Sequence, residues 1–202
     1  MPRSRSFDET EVVERAMELF WTNGYDATSV PDLTEHLGVF PGSLYRTFGD
    51  KHGLFLRAIE HYRHTQSRRL APLLLQEGPV LPRIRAVMVG YLEIAAREAE
   101  PRGCLIANTS GERLPGDRAV AALLADVLAV VEDGFLQGLR EADRRGELRV
   151  GLDLPAHAAM LTMLLEGLQV VAKSEPDPLR LVRAVDAALA GLVGDERAAV
   201  GS

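Results

Sequence analysis

The sequence contains one cysteine, Cys104, among 202 residues. A single cysteine excludes an internal disulfide and fits a reducing compartment, so we expect a cytoplasmic protein. Positive charge is also scarce, because 23 Lys and Arg residues face 29 Asp and Glu residues, which gives a formal net charge of −6. This balance argues against a protein that coats nucleic acid or membrane surfaces, so any DNA contact must be local. The first residues are polar, and we expect no signal peptide.

The motifs of catalytic and metal sites are missing from the sequence. It has no phosphate-binding glycine loop, no nucleophile elbow and no cluster of Cys and His with the spacing of metal ligands. His61 and His64 could share one helix face, but no companion ligand lies close to them in the sequence. We therefore expect no catalytic site, no metal, no cofactor and no enzyme activity.

Apolar residues make up 47% of the chain and recur mostly at helical spacing, with few alternating, strand-like runs. This pattern predicts an all-α protein with one or two domains. Beyond the N-terminal region, predicted helices span residues 54–76, 81–99, 104–111, 118–145, 155–173 and 178–193. A membrane span is an alternative for residues 155–173, but Glu166 and Gln169 interrupt a run already close to the minimum of about 20 residues.

Residues 28–51 predict two short helices joined by a glycine turn. Thr28 can cap the free N–H groups of the first helix, and Gly38 can adopt the left-handed conformation that ends it. Pro41 suits the first position of the second helix, in which Leu44 points inward. This is the outline of a helix-turn-helix.

An apolar stripe of Val13, Met17 and Phe20 predicts a further helix upstream, so three helices can share one small core. The same periodicity also fits a plain helical bundle, in which Tyr45 is a half-buried core aromatic and Arg46 a solvated surface charge. Periodicity alone leaves both interpretations open.

Two stretches carry a more specific pattern, G-Y-x-A-T-S-V-x-D-L and L-G-V-x-P-G-S-L-Y-x-x-F-G-D-K-x-x-L-F. With ungapped spacing over about Phe7 to Phe55, they resemble the DNA-binding domain of the tetracycline-repressor (TetR) family. The resemblance implies an N-terminal three-helix helix-turn-helix domain at residues 1–54. It also implies a helical ligand-binding and dimerisation domain at residues 55–202.

By the same resemblance, residues 41–48 form the recognition helix, which lies in the major groove. Tyr45 and Lys51 match positions that contact phosphates, and the start of the preceding helix matches further backbone contacts. Ser43 and Arg46 are candidates for base contacts, with a phosphate contact or an exposed charge as the alternative for Arg46. The predicted DNA-binding residues are Thr28, Ser29, Phe40, Pro41, Gly42, Ser43, Tyr45, Arg46 and Lys51.

Two features depart from the family pattern. Phe40 stands where many members have Ser or Thr, so the recognition helix lacks a hydroxyl cap worth about 1 kcal/mol. A thymine-methyl contact or packing on the turn could take its place. Residues 1–55 contain five basic and nine acidic residues, so we expect a shallow salt dependence and a dimer that pools two half-sites. Arg3 and Arg5 form either an arm toward the minor groove or a basic tail.

The resemblance implies that the last two helices pair with those of a second copy in a four-helix bundle. Residues 155–173 are apolar around nearly their whole circumference, so more than one side needs covering. The predicted interface residues are Leu164, Leu168, Val182, Val185, Leu189 and Leu192, and the alternative is that they complete the core of one chain. Such a dimer places two recognition helices about 34–36 Å apart on a palindrome.

The segment P-R-G-C-L, together with P-R-S-R-S-F-D-E and L-Y-R-T-F-G-D-K, resembles one TetR branch. That branch includes regulators that respond to electrophiles and oxidants, and a copper-responsive one. Cys104 is predicted near a helix start beside Arg102, and both features favour the reactive thiolate of a sensor. The alternative is a small buried apolar residue.

We predict a ligand-released repressor that binds a palindromic DNA operator as a homodimer, with an unidentified small-molecule effector and no membrane partner. The predicted pocket residues, for each of which core packing is the alternative, are Tyr62, Met88, Tyr91, Cys104, Asn108, Phe135 and Met160. Activation instead of repression belongs to the same class. The acidic N-terminal domain keeps another class open, a helical small-molecule-binding or catalytic protein that has lost operator binding.

Overall fold

The structure, a computed structural model, describes residues 7–97, 102–175 and 177–193. Within these ranges the chain forms helices and no strand, which confirms the predicted all-α class. The helices are α1 (Glu9–Asn23), α2 (Val30–Leu37), α3 (Pro41–Phe48), α4 (Lys51–Leu75), α5 (Val80–Arg97), α6 (Leu105–Arg113), α7 (Arg118–Arg144), α8 (Leu154–Val171) and α9 (Pro178–Ala190). Arg3 and Arg5 lie outside the described residues.

Local signals explain where the N-terminal helices begin and end. Asp8 caps α1 by accepting a hydrogen bond from the Thr10 N–H at 2.8 Å. Gly38 ends α2 in the left-handed conformation, with φ 66°, as predicted. The long helix α4 begins at Lys51, ahead of the predicted residue 54, because Asp50 caps it through a 2.7 Å bond from the Gly53 N–H.

The chain divides into two compact units. Unit 1 comprises residues up to 65 together with residues 105–127, and unit 2 comprises residues 66–104 and those from 128 onward. The predicted domain boundary, between residues 54 and 55, falls within α4.

In unit 1, α2 packs against both α1 and α3. Leu33 and Leu44 are fully buried, and the rings of Phe20 and Phe55 meet edge to face with centroids 5.0 Å apart. These contacts give the helix-turn-helix one small core, as the apolar periodicity predicts.

In unit 2, α5 packs against α8 and α9. The buried core includes Met88, Phe135 and Leu165. Gly134 on α7 lies so close to Leu70 that a Cβ at the glycine would be 3.0 Å from Leu70 Cδ1. A side chain at position 134 would therefore require the Leu70 side chain to shift by a few tenths of an ångström.

The predicted dimer residues divide between two kinds of environment. Most are buried in the core of unit 2 itself, which is the alternative that sequence analysis left open; these are Leu168, Val185, Leu189 and Leu192. Leu164 and Val182 are partly buried against that core. The large apolar side chains that α8 and α9 leave exposed are others, namely Met163, Val170, Val171 and Leu179. Periodicity finds an apolar face of a helix, but it does not say which face its own chain covers.

Among the described residues, α8 is long and apolar enough to cross a membrane by length and composition, with a mean hydropathy of 1.3 over Leu154–Val171. The core helix of a soluble protein passes the same test, so one such helix is weak evidence. Leu161 and Leu165 of α8 are buried in the core of unit 2, which accounts for their apolar character.

Candidate nucleic-acid interface

The predicted recognition helix is α3, which spans Pro41–Phe48. Its buried residue Leu44 fixes the inner face within unit 1. The residue before it, Phe40, is the N-cap and is 78% exposed. The Phe40 side chain makes no cap, and the Ser43 and Leu44 N–H groups at the start of α3 donate instead to the Phe40 carbonyl oxygen, at 2.9 and 3.1 Å.

The outer face of α3 carries most of the predicted DNA-binding residues. Pro41, Gly42, Tyr45 and Arg46 are exposed, and Ser43 is half-buried. Arg46 donates from Nη2 to the Ser43 hydroxyl at 3.3 Å, so the two candidates for base contacts lie side by side. This short helix therefore presents the guanidinium of Arg46, the hydroxyl groups of Ser43 and Tyr45, and the aromatic ring of Tyr45.

The start of α2 is arranged differently. Ser29 is the N-cap, which corrects the sequence-based placement of the cap at Thr28. The Asp32 N–H donates to the Ser29 hydroxyl oxygen at 3.2 Å, and the Ser29 N–H donates to the Asp32 carboxylate at 2.8 Å. The Ser29 hydroxyl also donates to that carboxylate at 2.7 Å. These bonds from Ser29 lower the pKa of Asp32, so a negative charge stands at the end of α2 that was predicted to face a phosphate.

Thr28 has a different role from the one predicted for its side chain. It is fully buried, and its hydroxyl donates to the Gly24 carbonyl at 2.7 Å. The bond closes residues 24–28, the turn that joins α1 to α2. Two adjacent residues are both good cap formers by type, and the tertiary fold uses one as the cap and the other as a turn closure.

Lys51, at the start of α4, is half-buried beside that turn. Its ammonium donates to the carbonyl oxygens of Tyr25 and Thr28, at 2.8 Å each, and lies 4.0 Å from the centroid of the Tyr25 ring. The ammonium has three donors, of which these bonds use two. The ammonium of Lys51 thus places a positive charge at Thr28, the residue before the N-cap of α2.

A cluster of charged residues within unit 1 also lies next to Tyr25. The Arg113 guanidinium carbon lies 4.4 Å from the Tyr25 ring centroid, and its Nη1 and Nη2 pair with Asp26 and Asp117 at 3.1 Å each. His52 Nε2 lies 2.8 Å from Asp117.

The carboxyl of Asp117 is the most perturbed group of this cluster. Its burial by itself raises the pKa, but hydrogen bonds from the Val120 N–H, Arg113 and His52 outweigh this effect and lower the pKa to about 2. Motif analysis missed the cluster because its members come from residues 25–52 and 112–117. No sequence pattern indicates that these two stretches come together.

The few basic residues of the N-terminal region are not all available to DNA. Arg15 donates to the carbonyl oxygens of His36 and Leu37, where it stabilises the C-terminal end of α2. This leaves Arg46 and Lys51 as the basic residues of the predicted DNA-binding set.

The predicted pocket residues fall into both units. Tyr62 and Asn108 belong to unit 1, and the others belong to unit 2, namely Met88, Tyr91, Cys104, Phe135 and Met160. Met88 and Phe135 are fully buried in the core of unit 2. Unit 2 also has a cavity of about 710 Å³, which none of the predicted pocket residues lines. It lies between the start of α5, the segment after α7 and the end of α9, and Leu81, Leu148 and Leu189 form part of its wall.

Cys104 is buried, with 1% of its surface exposed, immediately before α6. It is hydrogen-bonded to Glu166 of α8. Burial raises the pKa of the Glu166 carboxyl, and the bond with Cys104 opposes that rise. Among the described residues, no group of three or more His, Cys, Asp or Glu side chains could hold a metal ion.

An exposed, uncapped helix set in a three-helix N-terminal core, followed by helices with a second core, defines a DNA-binding regulator of the helix-turn-helix class. Two family descriptions match the chain: the bacterial regulatory proteins of the tetR family over residues 12–58, and the tetracyclin repressor-like C-terminal domain over residues 80–188. The chain belongs to the TetR family.

Relatives with similar sequences extend over most of the chain. The uncharacterized HTH-type transcriptional regulator YezE of Bacillus subtilis (strain 168) is 33% identical over 95% of this chain and 100% of its own. The HTH-type transcriptional repressor ComR of Escherichia coli (strain K12) is 28% identical over 85% of this chain and 82% of its own. A cysteine mutant of the TetR family regulator CifR, solved with 26-base-pair operator DNA, has a TM-score of 0.80 at 30% identity and covers 93% of this chain and 98% of its own.

Family membership confirms several predictions. The protein is a DNA-binding transcription regulator, and the family consists of regulators rather than enzymes. The resemblance of residues 7–55 to the TetR DNA-binding domain is confirmed by the match over residues 12–58.

Proposed function

We propose that this chain is a repressor that binds a palindromic operator as a homodimer and leaves it when a small-molecule effector binds. The observation that carries the proposal is the exposed face of α3, with Tyr45 and Arg46 beside an N-terminus that no side chain caps. Its relative ComR is named a repressor, and its relative CifR was solved on operator DNA. We infer action in the cytoplasm, where such DNA would be found.

The proposed contacts follow from the geometry of the two helix starts. Ser43 and Arg46 would read base edges, and Tyr45 and Lys51 would contact phosphates. Phe40, Pro41 and Gly42 would approach the backbone at the open N-terminus of α3. At α2, Ser29 would contribute through its exposed position, whereas the side chain of Thr28 would support the turn.

For dimerisation, we propose the exposed apolar side chains of α8 and α9 as the centre of the interface. Met163 is 67% exposed and Leu179 is 64% exposed, and Val170 and Val171 follow Met163 along α8. A second copy would bury these side chains, which a single chain leaves in water. Leu164 and Val182 would lie at the edge of that interface, and residues 55–202 would act as the ligand-binding and dimerisation domain.

Two buried polar groups support an effector site in unit 2. Gln66 is 97% buried; it accepts a hydrogen bond from the Tyr91 hydroxyl, and its Nε2 has no partner among the described residues. Glu166 Oε2 is likewise buried without a partner in the described part of the chain. Buried polar atoms are seldom left unpaired, so we propose an effector that offers a hydrogen-bond acceptor to the Gln66 amide.

We place the chain in the branch that has P-R-G-C-L, but we favour a structural role for Cys104. Its burial and its bond with Glu166 support the small, buried residue over the exposed thiolate of a sensor. Operator release by N-ethylmaleimide separates the two roles. Release that persists in Cys104→Ser excludes the sensor, and release that is lost in this variant establishes it.

A gel-shift experiment on DNA that flanks the coding region tests the proposed function. We expect retardation that excess unrelated DNA does not abolish and that a small molecule from a metabolite panel reverses. A scrambled duplex of equal length is the control. Binding of a small molecule without retardation of any duplex would instead favour the other class, a helical ligand-binding protein that has lost operator binding. The excess of acidic residues in the N-terminal region supports that class.

A further inference from the structure

The last turn of α6 holds the turn between α1 and α2. The carboxylate of Glu112 accepts hydrogen bonds from the N–H groups of Tyr25 and Asp26, at 2.9 and 2.6 Å. Gly24 permits this approach, because a Cβ there would lie 3.1 Å from Glu112 Oε1 and its φ of 85° suits glycine. A carboxylate from a helix remote in sequence thus anchors the backbone of residues 24–26.

Arg113 holds the same turn through side chains. Its planar guanidinium lies over the Tyr25 ring and bridges Asp26 and Asp117, with both ion pairs at 3.1 Å. The Arg113 side chain is 24% exposed and that of Asp117 is 10% exposed, so this pair is partly shielded from water, whereas Asp26 is 63% exposed. Glu112 and Arg113 together fix both the backbone and the ring of Tyr25.

The turn in turn fixes Lys51. The two carbonyl groups that hold its ammonium belong to Tyr25 and Thr28, and the ring that it covers is the ring of Tyr25. Lys51 and Arg113 therefore both lie over Tyr25. The position of the turn therefore sets where the Lys51 ammonium lies. This position matters because a phosphate contact needs a charge at a defined place.

We propose that Glu112 and Arg113 are positioning residues for operator binding, which act by fixing the turn at residues 24–28 and through it the ammonium of Lys51. The inference rests on the proposed function, since it takes Lys51 as a phosphate contact. Neither residue touches DNA in this proposal.

A double-mutant cycle tests the proposal on a duplex that the wild-type chain selects from random DNA. Glu112→Ala is expected to weaken binding of this duplex about tenfold, because two hydrogen bonds to a charged acceptor are lost. In a Lys51→Met background, Glu112→Ala should cause little further loss. Arg113→Lys keeps the charge but lacks the planar guanidinium, whose Nη1 and Nη2 reach Asp26 and Asp117 separately, so a smaller loss is expected.

The matched control is Glu141→Ala, which removes from α7 in unit 2 a carboxylate that pairs with Arg144 and with Arg145, the residue after α7. Its operator affinity should equal that of the wild type. Urea denaturation checks folding, and Glu112→Gln, which keeps one acceptor oxygen, carries the test if Glu112→Ala does not fold. Losses from Glu112→Ala and Lys51→Met that multiply, or no loss at all, overturn the proposal while the function stands. A wild-type chain that selects no sequence refutes the proposed function itself.

Discussion

The two helices of the helix-turn-helix begin in opposite ways. At α2, Ser29 and Asp32 form a closed capping box, and a carboxylate occupies the positive end of the helix. At α3, Phe40 is exposed and its side chain caps nothing. The Asp32 carboxylate therefore opposes the attraction of Lys51 for a phosphate at the first helix start, whereas the first turn of α3 contains no acidic residue.

We expect this difference to help a domain with few basic residues to bind DNA. Arg15 is engaged at the end of α2, and acidic residues such as Glu11 and Glu14 lie on α1. At the start of α3, the Gly42 N–H and the positive end of the helix dipole can face a phosphate, whereas the Ser43 and Leu44 N–H groups donate to the Phe40 carbonyl oxygen at 2.9 and 3.1 Å. We expect affinity to depend on α3 and on pooling two half-sites, more than on charge.

The largest expected effect tests α3 as the helix that reads the sequence. Arg46→Ala should lower the preference for one base pair by about 1–3 kcal/mol, because the bidentate contact with guanine that we propose for Arg46 would be lost. Binding to all single-base variants of the selected duplex measures it. Arg57→Ala, which removes an arginine paired with Glu60 on α4, is the control. Base preferences of Arg46→Ala that match those of the wild type would contradict this role.

The next prediction reverses the difference between the two helix starts. Phe40→Ser should raise the free energy of unfolding by about 1 kcal/mol, because a hydroxyl can cap α3. Ser29→Ala should lower it by about the same amount, because α2 loses its cap. Urea denaturation of both variants measures the changes. Equal signs would show that helix capping does not distinguish the two starts.

Removing the charge at α2 should make its start more like that of α3. Asp32→Asn is expected to raise operator affinity by up to about fivefold, since unit charges 4 Å apart in water interact by about 1 kcal/mol. The gain should shrink at high salt. Titrations at two salt concentrations measure it, with Glu35→Gln on the same helix as the control. An affinity that falls would mean that the box is needed to form the contact surface.

A third helix start, that of α7, gives the smallest effect at neutral pH. Asp117 caps it by accepting the Val120 N–H at 3.1 Å, and its pKa of about 2 lies below the ordinary 3.8. A depressed pKa in the folded state means that the stabilisation is complete above about pH 4 and is lost as the pH falls toward 2. The denaturation temperature should fall less steeply between about pH 5 and pH 2 for Asp117→Asn than for the wild type. Equal slopes for the variant and the wild type would show that Asp117 does not contribute to the loss of stability at acid pH.

Sequence reasoning succeeded where the signal is local. The start of α3 follows from Pro41, a favoured first residue of a helix, and its end at residue 48 agrees with the range that the family resemblance implies. It failed by one residue at α2, because Thr28 and Ser29 are both good caps and only the bond from Thr28 to Gly24 decides between them. For α8 and α9, periodicity identified apolar faces but could not tell the inner one from the exposed one.

The sequence by itself determined that this chain is a helical TetR-family regulator, because capping residues, helical periodicity and motif spacing are short-range properties. Only the tertiary structure decided which polar groups meet. Glu112 and Arg113 reach Tyr25 and Asp26 across more than eighty residues of sequence. Such contacts depend on how helices pack, and packing is set by the whole core rather than by any one segment.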